Sequence, residues 1–360
     1  MDKRKSNLTE APQFSVSGRR IGPGEPTYLI AEMSANHNQN FEQAVRIIQA
    51  AKECGADAIK LQTYTANTLT IKSDSKYFRV GEGSLWSGKN LFDLYDEAHT
   101  PWEWQPKLMK VAQDLGLDFF STPFDATAIE FLEKMDVPLY KIASPELIDI
   151  PLIKLVAKTG KPIIMSTGMA TLPEITEAVE AIRESGNPLA LLKCTSAYPA
   201  PPEEMNIRTI PDMAHKFGVV AGLSDHTMGI AVAVAAVAMG ASIIEKHLTL
   251  SREDSGPDSA FSLEPHEFKA MVDSVRVTEK ALGKIYYGFS EKEGKHRMAR
   301  RSLFVVADIK AGEKFTEQNV RSIRPAYGLA PKHLPEILGL VAKVDLERGT
   351  PLAWDDIVKN

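Results

Sequence analysis

The feature that most constrains the fold is an alternation of short β-rich runs with longer helical patterns, which begins near residue 27. Between most of the runs, apolar residues recur at i, i+3, i+4 and i+7, the spacing of a helix with one buried face. Eight such units over roughly 250 residues predict a closed parallel (β/α)8 TIM barrel. An open doubly wound sheet is the alternative, but no GxGxxG motif follows the first run. The predicted strands are 28–32, 58–62, 118–121, 139–142, 162–166, 189–194, 219–223 and 242–247.

Two of the predicted helices carry start and stop signals. One begins at Phe41 and ends at Gly55, a residue that favours helix termination. Another has Thr171 and Glu174 in capping-box spacing, with Pro173 in the first turn.

Composition and charge narrow the class of protein. Hydrophobic residues make up 44% of the chain and charged residues 25%, which excludes a disordered or collagen-like chain. The 42 Lys and Arg against 47 Asp and Glu give a net charge of −5, which argues against a nucleic-acid partner. An anionic substrate remains compatible, because a few lysines in a cleft dominate the local field.

The cysteines and the apolar segments indicate a cytoplasmic protein. Cys54 and Cys194 have no zinc-site spacing and predict buried free thiols. The first ten residues lack the apolar core of a signal peptide. The apolar run 230–244 is shorter than the roughly 20 residues of a membrane span; it predicts a buried helix that leads into a buried strand.

Two segments interrupt the alternation. Segment 63–104 is too long for a βα loop of about 2–6 residues and holds eight of the 27 aromatic residues. It predicts either a lid on the catalytic face or a packed excursion. Segment 283–300 loses the periodicity and predicts a linker between a barrel domain with an N-terminal extension, 1–282, and a small β-rich domain, 301–360. That second domain contains a weak repeat, 308–315 and 345–352.

Polar residues end all eight predicted strands, at the end of a barrel where active sites lie. Residues two apart on a strand share a face, so Lys60 pairs with Gln62, and Glu245 with His247. His226 and His247 fall on neighbouring strands, close enough to share one divalent metal such as Mn²⁺. Structural, hydrogen-bonded histidines are the alternative.

Cations and hydroxyls converge at the same end. The set predicts a phosphate or carboxylate site and consists of Lys60, Lys141, Thr122, Ser144, Ser166 and Ser196. Salt bridges from the lysines to Glu32, Glu146 or Glu245 are the structural alternative. A Schiff-base lysine is a second functional one, although such an enzyme has no need of the histidine pair.

Eight motifs in order make the chain resemble the sialic acid synthases, which condense phosphoenolpyruvate with a 2-acetamido sugar. The resemblance extends from about residue 28 to 357, and the last 60 residues resemble the antifreeze-like (SAF) domain that ends these enzymes. The motifs are IAEMSANHN (30–38), KLQTY (60–64), STPFD (121–125), YKIAS (140–144), PIIMSTGMA (162–170), LKCTSAYP (192–199), GLSDHT (222–227) and IEKHLT (244–249).

Within that family, three stretches are most similar to the enzymes that make pseudaminic acid: 84–104, 258–276 and 321–333. Synthases of N-acetylneuraminate have CTNxYP where this chain has CTSAYP, so Ser196 replaces an Asn that helps to hold phosphoenolpyruvate. They also lack the LWSGKNLFDLY insertion. Legionaminic acid and N-acetylneuraminic acid synthases are the alternatives within the family.

The resemblance implies a role for each candidate residue. His226 and His247 would bind a divalent metal, Mn²⁺ or else Mg²⁺ or Co²⁺. Phosphoenolpyruvate would be held by Lys60, Gln62, Thr122, Lys141, Ser144, Ser166 and Ser196. Glu32, Glu146, Tyr198 and Asp258 would face the sugar or the reacting centre, with Glu245 beside the metal-bound water.

The resemblance also implies a domain-swapped homodimer, in which Arg324 of one subunit reaches the acetamido group bound in the partner barrel. Surface charge is the alternative for Arg324, and a loop cap for Asp258. Outside this family, a non-catalytic carbohydrate-binding protein on a barrel scaffold is the competing interpretation.

Overall fold

The computed structural model describes residues 12–81, 85–254 and 256–358. The chain divides into two compact units, Met1–Gly283 and Lys284–Asn360. Residues 1–11 of the predicted N-terminal extension lie outside the described residues, as does Ser84 of the stretch 84–104. The predicted linker, 283–300, contains a short helix, Glu291–His296, and a 3₁₀ turn, Arg297–Ala299.

The first unit is a closed barrel of eight parallel strands, which confirms the predicted (β/α)8 fold. A hairpin of β1 (Phe14–Val16) and β2 (Arg19–Ile21) precedes it. The last barrel strand pairs with the first, His247 beside Glu32, and closes the cylinder. The barrel strands are β3 (Tyr28–Glu32), β4 (Ala58–Thr63), β5 (Asp118–Pro123), β6 (Tyr140–Ile142), β7 (Ile163–Ser166), β8 (Leu189–Cys194), β9 (Val220–Asp225) and β10 (Ile243–His247).

The helices form where the apolar periodicity and the end signals predict them. Asn40 caps the first helix by accepting from the Gln43 N–H at 3.0 Å, and Gly55, at φ +87°, ends it. The Glu174 carboxylate accepts from the Thr171 N–H at 2.7 Å, as a capping box requires. The helices of this unit are α1 (Phe41–Cys54), α2 (Ala66–Leu69), α3 (Leu91–Ala98), α4 (Gln105–Asp114), α5 (Ala126–Met135), α6 (Ile150–Ala157), α7 (Leu172–Arg183), α8 (Thr209–Phe217), α9 (Ala231–Ala238) and α10 (Pro265–Leu282).

The apolar run 230–244 forms α9 and then β10, but the prediction of a fully buried helix is wrong. Only Ala233, Ala236 and Val237 of α9 are buried. The helix lies against the barrel through one face of small side chains, so its remaining alanines and valines are part-exposed. Within the described part of the chain, no helix is long and apolar enough to cross a membrane.

The 63–104 insertion is packed onto the barrel and contains α2 and α3. The Trp102 indole donates to the Tyr64 carbonyl at 3.0 Å. The Trp104 ring packs edge-on against His37, with centroids 5.7 Å apart. These two tryptophans therefore anchor the insertion, whereas Trp86 lies elsewhere, in the site described below.

The second unit has a small core built around β11 (Ser302–Val305) and β12 (Val320–Ile323), with helices α11 (Glu291–His296) and α12 (Leu334–Ile337). The two copies of its sequence repeat pair with each other, Ile309 against Leu346. Asp345 accepts from the Ala311 N–H and Asp308 from the Arg348 N–H, both at 2.8 Å. Equivalent bonds at equivalent positions give this pairing a local two-fold symmetry.

Candidate active site

The barrel interior changes from apolar to polar along the strands. Alternate strand residues face inward, and the lower layers are apolar and sealed by the hairpin side chains Phe14, Val16 and Ile21. Further along each strand, toward its C-terminal end, the next inward-facing residues are polar. This polar layer consists of Glu32, Lys60, Gln62, Thr122, Lys141, Ser166, Cys194, Ser224, Glu245 and His247.

Two buried lysines lie at the centre of the polar layer. The Lys60 Nζ is 2.6 Å from a Glu32 oxygen and 3.4 Å from the Thr122 hydroxyl. The Lys141 Nζ donates to the Ser166 hydroxyl at 2.6 Å and to the Ile142 carbonyl at 3.0 Å. Both ammonium groups lie 3.9 Å from the same oxygen of Glu245. Of the ion pairs considered from the sequence, those to Glu32 and Glu245 are present. Among the described residues, Glu146 forms none with either lysine.

Burial and neighbouring charges set the ionisation of this cluster. Burial opposes ionisation of Glu245, but Lys141, Lys60 and the Ser224 hydroxyl outweigh it and lower the pKa of Glu245. Burial, with Glu245 nearby, raises the pKa of Glu32 despite its contact with Lys60. Burial also lowers the pKa of Lys141. The polar layer thus keeps an anion between its two cations.

Two serine hydroxyls and the Cys194 sulfur surround Gly168, in the loop after β7. The Gly168 N–H donates to the Ser144 hydroxyl at 2.9 Å. A side chain at position 168 would place its Cβ 2.3 Å from the Ser196 Oγ and 2.8 Å from the Ser144 Oγ. Only glycine therefore lets these hydroxyls approach each other, beside Lys141 and Ser166.

The two histidines are neighbours, as the strand order predicts. Their ring centroids are 5.4 Å apart. The His226 Nδ1–H donates to the Thr195 carbonyl at 3.0 Å, while the buried His247 Nδ1 has no partner among the described residues. Burial lowers the pKa of His247 well below its usual range, so this ring is neutral. In the described ranges, no group of three or more His, Cys, Asp or Glu side chains is arranged to hold a metal.

A cavity of about 360 Å³ opens onto His247 and Gln62. Asp258 and Ser34 both line this cavity, and the Asp258 carboxylate accepts a hydrogen bond from the Ser34 hydroxyl. The Gln62 amide donates to Ser34 and to Glu32, at 3.0 Å each. This chain of bonds connects the cavity to the lysines.

Aromatic side chains cover the same cavity. The Tyr198 ring lies 4.5 Å from His226 and 5.0 Å from Phe261, centroid to centroid. Trp86 of the insertion lies 5.7 Å from Tyr198, and its indole donates to the Pro257 carbonyl at 2.9 Å. Such rings suit the C–H faces of a sugar.

Glu146 lines the cavity from the 3₁₀ turn after β6. One of its oxygens is buried with no partner in the described part of the chain. Burial raises the pKa of this carboxyl to about 7. It can therefore accept or donate a proton near neutral pH.

Within the barrel unit, the structure brings together all fourteen predicted site residues that this unit contains. Arg324 is exposed in the second unit, directly after β12. Sequence reasoning missed Cys194 and Ser224, which the alternation along β8 and β9 places in the polar layer. Cys194 is a buried free thiol, as predicted, and its sulfur lies 3.9 Å from the His226 Nδ1. Trp86, Ser34 and Phe261 were also missed as individual site residues. The aromatic richness of segment 63–104 was the sequence signal for Trp86.

Comparison with known proteins places this site in a family. The model of the NeuB family matches residues 47–287, and that of the SAF domain matches residues 300–358. The chain is 48% identical to the pseudaminic acid synthase of Campylobacter jejuni serotype O:23/36, over 91% of this chain and 96% of that protein. It is 44% identical to the pseudaminic acid synthase of Helicobacter pylori, over 93% and 99%.

A solved structure extends the comparison to the fold. The N-acetylneuraminic acid synthetase of Leptospira borgpetersenii superimposes with a TM-score of 0.71 at 30% identity, over 79% of this chain and 95% of that one. The agreement of the barrel, the second unit and the sequence leads to one assignment. The chain belongs to the NeuB family and carries a SAF domain after its barrel.

Proposed function

We propose that this protein is a pseudaminic acid synthase. It condenses phosphoenolpyruvate with 2,4-diacetamido-2,4,6-trideoxy-L-altrose and water, and it releases phosphate. The observation that carries the proposal is a buried polar layer with two lysines and several hydroxyls, next to a sugar-sized cavity. The relatives of that name, at 44–48% identity, support the choice of sugar.

The polar layer suits phosphoenolpyruvate, which carries a phosphate and a carboxylate. Each ammonium has three hydrogens; Lys60 uses two on Glu32 and Thr122, and Lys141 uses two on Ser166 and Ile142. One hydrogen of each lysine remains for the substrate. Ser144 accepts from the backbone and keeps its own hydrogen to donate beside Ser196.

The residues of the polar layer and the cavity contribute to the reaction mainly by positioning the two substrates. C3 of phosphoenolpyruvate attacks the aldehyde carbon of the open-chain sugar while water adds at C2, and the tetrahedral intermediate loses phosphate by C–O cleavage. We propose that Glu32 takes the proton of the water, since a pKa raised toward the working pH favours a base. Holding the two substrates in the reactive orientation can lower the activation free energy by up to ~7–11 kcal/mol.

A divalent metal fits the histidine pair. A neutral, buried His247 whose Nδ1 has no partner in the described ranges is the form of histidine that ligates metals. We propose Mn²⁺, with Mg²⁺ or Co²⁺ as substitutes, held by His226 and His247. When bound there, such an ion supplies Lewis-acid polarisation of the aldehyde oxygen.

The metal proposal predicts the behaviour of His247→Ala. The variant should lose at least ~100-fold in kcat and should no longer bind one equivalent of Mn²⁺ in a titration followed by electron paramagnetic resonance. His215→Ala, on the outer helix α8, is the matched control. Full turnover of His247→Ala in the presence of a chelator would refute the assignment.

The sugar itself is tested by phosphate release from phosphoenolpyruvate with Mn²⁺. We expect release with the altrose derivative at a kcat/KM at least ~10-fold above that of the 2,4-diacetamido mannose isomer and of N-acetylmannosamine. Preference for a mannose-configured sugar would move the product to legionaminic or N-acetylneuraminic acid. Sugar binding without phosphate release would favour the non-catalytic carbohydrate-binding protein, and borohydride trapping with pyruvate would reveal a Schiff-base lysine.

The assembly and location belong to the same proposal. We propose a domain-swapped homodimer in which Arg324 of the SAF domain reaches the acetamido group bound in the partner barrel. The protein would work in the cytoplasm, with which the free thiols Cys54 and Cys194 agree.

A further inference from the structure

We infer that the insertion 63–104 builds a subsite for the methyl groups at the far end of the sugar, and thereby selects a deoxy sugar. The subsite is an aliphatic wall formed by Leu69, Val80, Leu91, Leu94 and Ala98, all of which line the cavity. The inference rests on the proposed function, because it concerns the sugar of the same reaction.

Most of the polar cavity lining comes from the barrel, and all of its leucines come from the insertion. The barrel strands and their loops contribute Gln62, Glu146, Tyr198, His247 and Asp258, which carry donors, acceptors or charge. The insertion contributes the aliphatic wall, which has no polar side-chain atoms, and beside it the rings of Tyr64, Trp86 and Tyr95. A ligand in this cavity therefore meets a polar and an apolar environment at once.

The wall is held in place by the insertion's own bonds. Asn90 caps α3 by accepting from the Phe92 N–H at 2.9 Å, and the Val80 N–H donates to the Lys89 carbonyl at 2.9 Å. Leu94 is only 7% exposed. The Tyr64 ring connects the wall to the barrel, with its centroid 6.0 Å from Tyr95 and 5.2 Å from Phe124. The apolar surface thus exists before a ligand arrives.

The direction of the sugar follows from the reaction. The C1 of the sugar must meet phosphoenolpyruvate, which the polar layer holds at the strand ends. The atoms C4 to C6 therefore extend outward to the insertion. In the proposed substrate, that end bears the C6 methyl and the methyl of the 4-acetamido group. A hydroxyl at C6 would lose its hydrogen bonds to water and find no hydrogen-bond partner on the aliphatic wall, which costs binding free energy. In apolar pockets, a single added hydroxyl changes kcat/KM by ~100-fold.

The test compares two sugars that differ by one oxygen: 2,4-diacetamido-2,4,6-trideoxy-L-altrose and its 6-hydroxy counterpart. We expect wild-type kcat/KM to favour the deoxy sugar by ~10–200-fold. Leu94→Asn, and the half-buried Leu91→Asn in case the former does not fold, should reduce that ratio at least ~10-fold. The KM for phosphoenolpyruvate should stay unchanged. Leu85→Asn is the matched control, being in the same insertion, 51% exposed and outside this cavity.

The outcomes separate the two claims. A wild-type enzyme that turns over the altrose sugar, with folded wall variants that keep its full preference for the deoxy form, would overturn the subsite and leave the synthase intact. A wild-type enzyme that releases phosphate with neither altrose sugar would overturn the proposed function and the subsite with it. A loss of preference in Leu85→Asn equal to that in Leu91→Asn would also contradict the wall.

Discussion

Glu146 shows how the active site reduces the stability of the fold. Burial raises the pKa of this carboxyl from an ordinary 4.5 to about 7. Between pH 4.5 and 7, Glu146 holds a proton in the folded protein that it has released in the unfolded chain. The contribution of Glu146 to the free energy of unfolding is therefore fully present below pH 4.5 and is lost as the pH rises through 7. Burial of this carboxyl thus costs the fold stability at neutral pH.

Glu146→Gln, which stays neutral, should therefore stabilise the protein more at pH 8 than at pH 5. The raised pKa corresponds to ~3 kcal/mol at pH 8. At ~2–4 °C per kcal/mol, we expect the melting temperature of the variant to exceed that of the wild type by ~6–12 °C at pH 8 and by much less at pH 5. Thermal unfolding followed by circular dichroism checks this, with the exposed Glu130→Gln as control. A difference independent of pH would contradict the buried-carboxyl explanation.

Residue parity explains which site residues could be predicted. Lys60, Lys141 and Glu245 were found because each lies in the C-terminal half of a β-rich run. In the structure, both lysine ammonium groups lie 3.9 Å from the Glu245 carboxylate. Counting by two from the buried Leu192 reaches Cys194, for which the sequence predicts only a buried free thiol. Lys193 has the opposite parity and bonds the Cys194 carbonyl outside the polar layer. Side-chain direction was therefore available from the sequence, but contacts between distant loops, such as Ser34 with Asp258, were not.

At the scale of elements, the barrel strands could be predicted from the sequence, but the N-terminal hairpin and the packing of the insertion 63–104 could not. All eight strands lie within two residues of their predicted bounds, because buried strands flanked by amphipathic helices leave a clear periodic signal. The hairpin of β1 and β2 has strands of three residues, too short to show a period. The helices of the insertion 63–104, α2 and α3, have four and eight residues, and the strand–helix alternation does not indicate where they pack. The packing of the insertion and the placement of Trp86 therefore emerge only from the fold.

The hairpin makes a prediction about stability. Ile21 is fully buried among the lower barrel layers, so Ile21→Ala should reduce the free energy of unfolding by ~2–5 kcal/mol. Urea unfolding measures this, with the exposed Ile148→Ala as the control. Because the hairpin seals the end of the barrel away from the polar layer, kcat below the melting temperature should stay within about two-fold. A large fall in kcat without loss of stability would show that the hairpin has a catalytic role instead.

At the scale of the whole molecule, the barrel holds fourteen of the fifteen candidate site residues, and the second unit holds only Arg324. The internal symmetry of the second unit, with Asp308 and Asp345 in equivalent bonds, accounts for its fold without any reference to chemistry. The proposed contribution of this unit to the reaction, through Arg324, becomes testable in trans if the dimer is swapped.

Two variants, each defective in a different unit, distinguish a swapped from an unswapped dimer. Arg324→Ala should raise the KM for the acetamido sugar ~10-fold or more while leaving that for phosphoenolpyruvate unchanged, since it removes a charge-assisted contact. His247→Ala should be inactive. In a swapped heterodimer, the intact barrel of the Arg324→Ala subunit receives the intact SAF domain of the other subunit, so subunits mixed by unfolding and refolding should regain turnover with the wild-type sugar KM. Without a swap, every active barrel keeps its own altered SAF domain, and the mixture would retain the raised KM at any ratio of the two chains.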